Sequence, residues 1–348
     1  MSCKILKDVV LPVKSSLKLS DLETSGNYQV FGASGLVGYR NSFQTGKESV
    51  GVIKDGAGIG RVTILPKHSS VLGTMQILEP KEGISNSYLF FFLSHLNLGK
   101  SFTGSTIPHI YFKNYCKAQF PEISYKKQCE IAGKLKKISE LIGVKRKQET
   151  KLDSLVKSRF MEMFANVNKQ KLSEMAEIIM GQSPDSKSYN ELGNGLPFLQ
   201  GKGDFGEKYT KVEHWTTLPT KTAKLNDVLM SVRAPVGPVN IASTDCCIGR
   251  GLCAIRAENG LTNSEFLYNA LKVMEPEIAL MGNGSTFKAI NKKDVYSLLI
   301  PVASVQNQES FSKFASLVDK SRFVVQQEIK DLQELLDSKM EEYFGGEE

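Results

Sequence analysis

Two stretches of this chain repeat apolar residues at alternating steps of three and four. The first runs through Ile131, Leu135, Ile138, Ile142, Lys145, Glu149, Leu152, Val156, Arg159 and Met163, and the second through Phe311, Ala315, Val318, Arg322, Val325, Ile329, Leu332, Leu336, Lys339 and Tyr343. Such spacing gathers one residue per turn on a single stripe, so it predicts two long helices whose heptad seams need a partner. Where the first seam turns polar, at Lys145 and Glu149, the second carries Val325 and Ile329. Residues 126–164 hold eleven Lys/Arg against five Asp/Glu, and residues 306–344 hold five against eight, so the helices attract each other. An antiparallel pair sets Lys134, Lys136 and Lys137 near Glu334, Asp337 and Glu341, whereas a parallel pair sets them near Lys313 and Phe314. The expectation is therefore an antiparallel coiled coil. With about 37 residues each, rising about 1.5 Å per residue, the pair would span about 55 Å and act as a ruler with one domain at each end.

The rest of the pattern also occurs twice. Gly104-Ser105-Thr106 recurs as Gly284-Ser285-Thr286, Pro121 as Pro301, Gln128 as Gln308, Leu152 as Leu332, Leu155 as Leu335 and Phe164 as Phe344, each 180 residues on. A repeat of this length is a whole domain, so two similar folds and two sites are expected. In the first copy, β-rich segments 49–54 and 61–65 flank Asp55-Gly56-Ala57-Gly58-Ile59-Gly60; in the second, 227–233 and 239–242 flank Ala234-Pro235-Val236-Gly237-Pro238. These read as hairpins or close backbone approaches. A helix follows, 86–96 in one copy and 263–275 in the other, where Thr262 and Glu265 stand at capping-box spacing and Pro276 marks the end. A last strand, 116–120 or 297–300, leads to a proline before the long helix begins. The predicted fold class is α+β with a pseudo-two-fold internal repeat: a domain over 1–122, a helix over 123–167, a second domain over 168–302 and a second helix over 303–348.

Composition narrows the class of partner. At 348 residues, 41% apolar and 23% charged, the chain can build two ordinary cores. The longest apolar run, 88–93, is too short to cross a bilayer and Met1-Ser2-Cys3-Lys4 opens no secretory segment, so a cytoplasmic location is expected. Cys3, Cys116, Cys129, Cys246, Cys247 and Cys253 share no spacing between the copies and form no CxxC pair, which points to reduced thiols rather than a disulfide frame or zinc site. Thirteen Lys/Arg against five Asp/Glu within 113–159 exceed the whole net charge of +7, so the positive charge is localised. A solvated helix face explains such a block, and so does a surface for nucleic acid or an acidic partner.

Candidate chemistry lies in turns. Gly32-Ala33-Ser34-Gly35-Leu36-Val37-Gly38 imitates a dinucleotide-binding fingerprint, but that motif needs a helix after it, and 39–47 is polar, contains Gly46 and has no helical period. A structural or DNA-facing turn remains. Ser105, Thr106, Ser285 and Thr286 suit close approach to phosphate oxygens, with Lys113 after the first pair and Lys288, Lys292 and Lys293 after the second; ordinary turn chemistry has the same look. Arg40, Lys54, Arg61, Lys202, Lys208, Arg233 and Arg250 lie in or beside predicted turns, where an Arg fork reads guanine and Lys holds phosphate, or where each is a plain surface charge. His68, His95, His109 and His214 are scattered and unmatched between copies, so none is assigned to catalysis or to a metal. There is no Asn-Pro-Pro-Tyr motif for amino-group methylation, Asp204-Phe205-Gly206 stands without other kinase elements, and Pro184-Asp185-Ser186-Lys187 lacks a nuclease's extended arrangement. No catalytic residue is named.

These residues together resemble the specificity subunits of type I restriction-modification systems. Residues Lys151-Leu152-Asp153-Ser154-Leu155-Val156-Lys157-Ser158-Arg159-Phe160-Met161-Glu162-Met163-Phe164 look like the end of that family's first helical spacer, and Pro121 with Gln128 and Ile131 like its start. Gly32-Ala33-Ser34-Gly35-Leu36-Val37-Gly38-Tyr39 and Gly56-Ala57-Gly58-Ile59-Gly60 look like glycine turns of its target-recognition domains. The resemblance implies two target-recognition domains that bind a bipartite site in double-stranded DNA, separated by two spacer helices. It also implies two methyltransferase subunits docked on the helical region, which carry S-adenosylmethionine and methylate adenine at N6, and two restriction subunits that can join them. This chain itself would hold no cofactor and catalyse nothing. Other readings are a recognition subunit of a methyltransferase without restriction activity, a dinucleotide-binding oxidoreductase, and a coiled-coil scaffold that binds only protein.

Overall fold

The computed structural model describes residues 2–345 other than 24, 57, 101–108 and 283–288. It divides into two units, Met1–Lys147 with Val325–Glu348, and Gln148–Val324. Among the described residues no helix is long and apolar enough to cross a membrane.

The first unit opens with β1 (Cys3–Ile5), the short helix α1 (Leu6–Val9) and β2 (Val10–Val13), then a hairpin of β3 (Tyr28–Gly32) and β4 (Gly35–Arg40). Strands β5 (Ser49–Ile53), β6 (Val62–Leu65), β7 (Ser70–Val71) and β8 (Met75–Pro80) follow, with β2, β8, β5 and β6 forming an antiparallel sheet in that order. Strand β5 reads Ser-Val-Gly-Val-Ile and is buried along its whole length, with Val50 and Val52 facing the α2 core and Ile53 a second cluster with Leu65 and Ile77, so both faces of the strand are covered. Helix α2 (Asn86–His95) starts where the Ser85 hydroxyl accepts from Tyr88 N, and it buries Tyr88, Leu89, Phe91, Phe92 and Leu93. Nearly consecutive buried residues wrap around more than one face, so α2 is a core helix rather than an amphipathic lid. One turn of helix, α3 (Phe112–Tyr115), precedes β9 (Gln119–Pro121), which pairs with β1.

The long helix α4 (Tyr125–Phe164) then begins, and the last long helix of the chain, α7 (Val305–Phe344), ends in this same unit. Ile131, Ala132 and Leu135 of α4 share the α2 core with Leu336, Met340, Tyr343 and Phe344 of α7. The Phe344 ring lies 5.0 Å from Tyr88 and 5.8 Å from Phe92, and Lys145 Nζ meets Glu328 Oε2 at 2.6 Å. Early residues of α4 therefore face late residues of α7, which makes the pair antiparallel here.

The second unit repeats the plan with β10 (Lys169–Lys171), β11 (Ala176–Met180), β12 (Tyr189–Asn190), β13 (Leu196–Leu199), β14 (Trp215–Thr216), β15 (Thr222–Ala223), β16 (Val228–Ser231), β17 (Val239–Ile241), β18 (Cys246–Ile248) and β19 (Leu252–Ala257). Its main sheet orders β11, β19, β16 and β17, the counterpart of β2, β8, β5 and β6, and a second sheet orders β12, β14, β13, β18 and β15. Helices α5 (Ser264–Met281) and α6 (Lys292–Tyr296) and strand β20 (Leu299–Pro301), paired with β10, complete the copy. Phe160 and Phe164 at the end of α4 pack against Phe266 and, at the start of α7, Phe311, with ring centroids 5.0–5.7 Å apart. Arg322 Nη2 reaches Asp153 Oδ1 at 2.7 Å, so the helices run antiparallel in this unit as well.

Every seam position expected from the sequence is buried or half-buried. The ion pairs differ from expectation. Lys134 and Lys136 turn to Glu130 and Glu140 of their own helix, at spacings of four residues, because an intrahelical partner needs no match in the facing helix. Two helix ends also differ. Helix α5 runs past Pro276 to Met281, and the fully buried Ile278 beyond the proline, about 1.5–3 kcal/mol of burial, offsets most of the roughly 3 kcal/mol an interior proline costs. Its cap is Asn263, whose Oδ1 accepts from Phe266 N, because the Thr262 hydroxyl donates to Gln308 instead. The strands expected at 116–120 and 297–300 are shortened by α3 and α6; in the second copy Asn291 starts α6 by accepting from Lys293 N and Asp294 N.

Candidate nucleic-acid interface

In the second unit three loops are drawn to one end of the sheets by backbone hydrogen bonds. Gly249 N donates to Leu199 O at 2.8 Å and Val232 N to Gly251 O at 2.9 Å, which sets the loops after β13, after β16 and between β18 and β19 side by side. The approach requires glycine: a Cβ on Gly251 would stand 2.3 Å from Gln200 O, and one on Gly181 2.1 Å from Gly249 O. Lys202, Arg233 and Arg250 stand exposed on these loops, one on each of the three. The loop of Lys202 is tied off by Asp204, whose Oδ2 accepts from Gln200 N at 2.6 Å and Gly201 N at 3.0 Å. Arg250 donates from its backbone N and from Nε to Ser183 Oγ at 3.3 and 3.4 Å, and the Arg233 carbonyl accepts from Ser231 Oγ at 3.0 Å. Arg233 bridges Ala289, the first described residue after 283–288. Lys292, three residues on, lies over the Tyr296 ring at 4.9 Å. Ser285, Thr286 and Lys288 fall outside the described residues.

The first unit has the matching arrangement. Ile110 N donates to Lys54 O at 2.9 Å, and Asp55 bridges His109, the first described residue after 101–108, with His109 Nδ1 2.6 Å from Asp55 Oδ1. Lys113 stands over the Tyr111 ring at 5.7 Å. Arg61, in the β5–β6 turn, donates from Nη2 to Ala33 O at 3.1 Å and so joins that turn to the β3–β4 turn. Ser105 and Thr106 lie outside the described residues. Arg40 is set apart: it pairs with Tyr28 at the end of the hairpin far from Ala33, and its Nε is enclosed with no hydrogen-bond partner among the described residues. The glycine-rich segment is that hairpin, with Gly32 opposite Gly35 and strand β4 following it, so the helix a dinucleotide fingerprint needs is replaced by a strand.

The family model described as the type I restriction modification DNA specificity domain matches residues 4–154 and 165–334, once on each copy. The chain belongs to that family. It is 34% identical over 294 residues to a protein of Methanocaldococcus jannaschii named as the type I restriction enzyme MjaX specificity subunit, an alignment covering 75% of this chain and 68% of that one. Two solved structures share its fold. One is a chain from work on complex assembly and conformational transition of the type I R-M system, at TM-score 0.64 and 24% identity over 99% of this chain and 97% of that one. The other is the type I restriction-modification system S subunit from M. genitalium, at TM-score 0.60 and 18% identity over 100% and 96%.

Other features of this specificity-domain chain were only partly visible in its sequence. Gln128 and Gln308 recur at the repeat spacing, and both prove to be buried latches at the start of their helices. Gln128 accepts from Ser85 N and donates to the Gly83 and Ile123 carbonyls; Gln308 accepts from the Thr262 hydroxyl and donates to the Leu261 and Ala303 carbonyls. The repeat was the signal for both. Ser183 and Asp204, which fix the loops of Arg250 and Lys202, have no counterpart in the other copy and gave no signal. Lys208 lies farther along the loop after β13, where its ammonium is held by Glu265 and Asp319. Burial alone would push its ammonium down, yet the two carboxylates together hold it above the usual lysine value.

Proposed function

We propose that the chain is the non-catalytic specificity subunit of a type I restriction-modification enzyme, acting in the cytoplasm on double-stranded DNA. Residues 1–122 and 168–302 serve as its target-recognition domains, and 123–167 and 303–348 as the spacer helices that set the interval between the half-sites on the DNA. The observation that carries this reading is that glycine-packed loops bearing Lys202, Arg233 and Arg250 are bonded to one another, with Arg233 bridging Ala289. Arg forks on rigid loops suit base edges, while Lys and hydroxyls suit phosphates. Lys54, Arg61 and Lys113 serve the first half-site and Lys292 the second, and the hydroxyls of Ser105, Thr106, Ser285 and Thr286, with Lys288, are assigned to phosphate contacts from their place in the sequence repeat. Two copies with unlike loops read two unlike half-sites, so the target is bipartite and asymmetric.

The catalytic work belongs to partners: two methyltransferase subunits that bind S-adenosylmethionine and methylate adenine at N6, and two restriction subunits. Docking of two like subunits is supported by exposed apolar residues that recur at the repeat spacing, Val144 at 59% with Val324 at 56%, and Leu155 at 48% with Leu335 at 44%. Co-expression with the neighbouring methyltransferase, followed by mapping of methylated adenines, tests the reading. The expected map shows one modified adenine on each strand of a two-part motif; methylation that is the same without this chain overturns it.

A further inference from the structure

Lys208 lies in a partly buried charge network that, among the described residues, has no counterpart in the first copy. Its Nζ is 2.8 Å from Glu265 Oε1 at the start of α5 and also bonds Asp319 of α7, and its side chain is only 13% exposed. Asp319 in turn meets Arg322 Nη1 at 3.0 Å, and Arg322 meets Asp153 of α4 at 2.7 Å. The backbone of Lys208 is fixed as well: its carbonyl accepts from Ile241 N at 2.8 Å, while Lys211 N, three residues on, donates to Asp204 O at 2.8 Å. Asp204 is the residue that ties off the loop of Lys202. A continuous path of bonds therefore runs from the spacer helices through Lys208 to the Lys202 loop. At the repeat spacing the first copy places Ser139 and the buried Ile142 where the second has Asp319 and Arg322. An apolar contact thus serves for helix packing in this fold. Partly buried ion pairs are often no better for stability than such a contact, and what these add is directional bonding between the loop and the two helices.

We propose that Lys208 is a positioning residue for DNA reading: without touching DNA, it fastens the 200–211 loop to α5 and α7 and so sets how the second domain meets its half-site. This rests on the reading of the chain as a two-headed DNA-recognition subunit. The test selects duplexes from a randomised DNA pool with the full chain, comparing the wild type, K208R, and a triple variant K208M/E265Q/D319N that removes the charges together so that neither carboxylate is left without the lysine. The wild type and K208R enrich two sequence blocks. The triple variant, folded by circular dichroism, loses tenfold or more discrimination at one block, keeps the other, and retains the wild-type dependence of affinity on salt.

Each other outcome has a distinct meaning. Two intact blocks in the triple variant overturn the positioning role. A salt slope lower by about one overturns it too, because that marks Lys208 as a phosphate contact. Loss of both blocks together with the fold reduces the network to packing and also overturns it. If the wild type enriches no sequence at all, it is the DNA-recognition reading itself that fails.

Discussion

Phe344 closes the last turn of α7, and its ring fills the core of the first unit, 94% buried in effect since only 6% is exposed, against Tyr88, Phe92 and His95. Truncation to alanine removes that ring from a packed interior and leaves a cavity between α2 and the helix pair, at a cost of about 3–5 kcal/mol. At about 1.4 kcal/mol per factor of ten, opening of this region becomes roughly a hundredfold to several thousandfold more frequent. Hydrogen–deuterium exchange reads this directly: amides of 88–95 in Phe344→Ala should exchange faster by two orders of magnitude or more, on the order of the opening equilibrium. Phe164→Ala should do the same to 264–271, where Phe164 packs on Phe266 at 5.0 Å. Phe344→Leu, which keeps most of the apolar volume, should have a smaller effect in the same segment. If 88–95 exchanged within tenfold of wild type in folded Phe344→Ala, the helix end would not be part of that core and the antiparallel assignment in the first unit would be refuted.

Three further outcomes are expected. Gln308→Leu orphans the Leu261 and Ala303 carbonyls and the Thr262 hydroxyl at about 1–3 kcal/mol each, so urea denaturation followed by the fluorescence of Trp215, the single tryptophan, should shift to lower urea; an unchanged midpoint contradicts the latch. Arg250→Ala should weaken DNA binding, and in a band-shift titration across salt it should either lower the slope by about one, if it holds a phosphate, or relax one base position, if it reads an edge; no change in either removes it from the interface. Burial pushes the Cys246 and Cys253 thiols up to about 12, so native protein should resist alkylation at both while the exposed Cys3 and Cys129 react. The unfolded chain loses those two protons first, at the ordinary thiol value of about 8.5, so their contribution to stability is complete below that pH and is lost as pH rises toward 12. Equal labelling of all four thiols, or stability that climbs over that range, would contradict this.

The seams of the long helices were legible because heptad spacing over forty residues leaves little room for another structure, and even Lys145 and Arg322 sit where the spacing put them. The partners of exposed charges were not. Lys134 has a carboxylate four residues away on its own helix, and a choice between two solvated partners turns on side-chain rotamers that no periodicity encodes. The end of α5 was misplaced for a related reason: Pro276 is a strong local stop, but Ile278 is buried by residues remote in sequence. Among the candidate contacts, the turns were visible from glycine and proline, whereas the way they meet was not. That Val232 bonds Gly251 and Gly249 bonds Leu199 is a property of the strand order β13, β18 and of β16, β19, which joins segments tens of residues apart. Lys208 shows the opposite limit, since a lysine beside a turn looks the same in sequence whether it faces solvent or two partly buried carboxylates.

The central claim is that one chain reads two separate stretches of duplex at a fixed spacing. Hydroxyl-radical footprinting of the full chain on a duplex enriched by selection measures this most directly. Two protected patches divided by an unprotected interval of constant length are the predicted result. A single continuous patch, or two patches whose separation varies from one duplex to another, would contradict it.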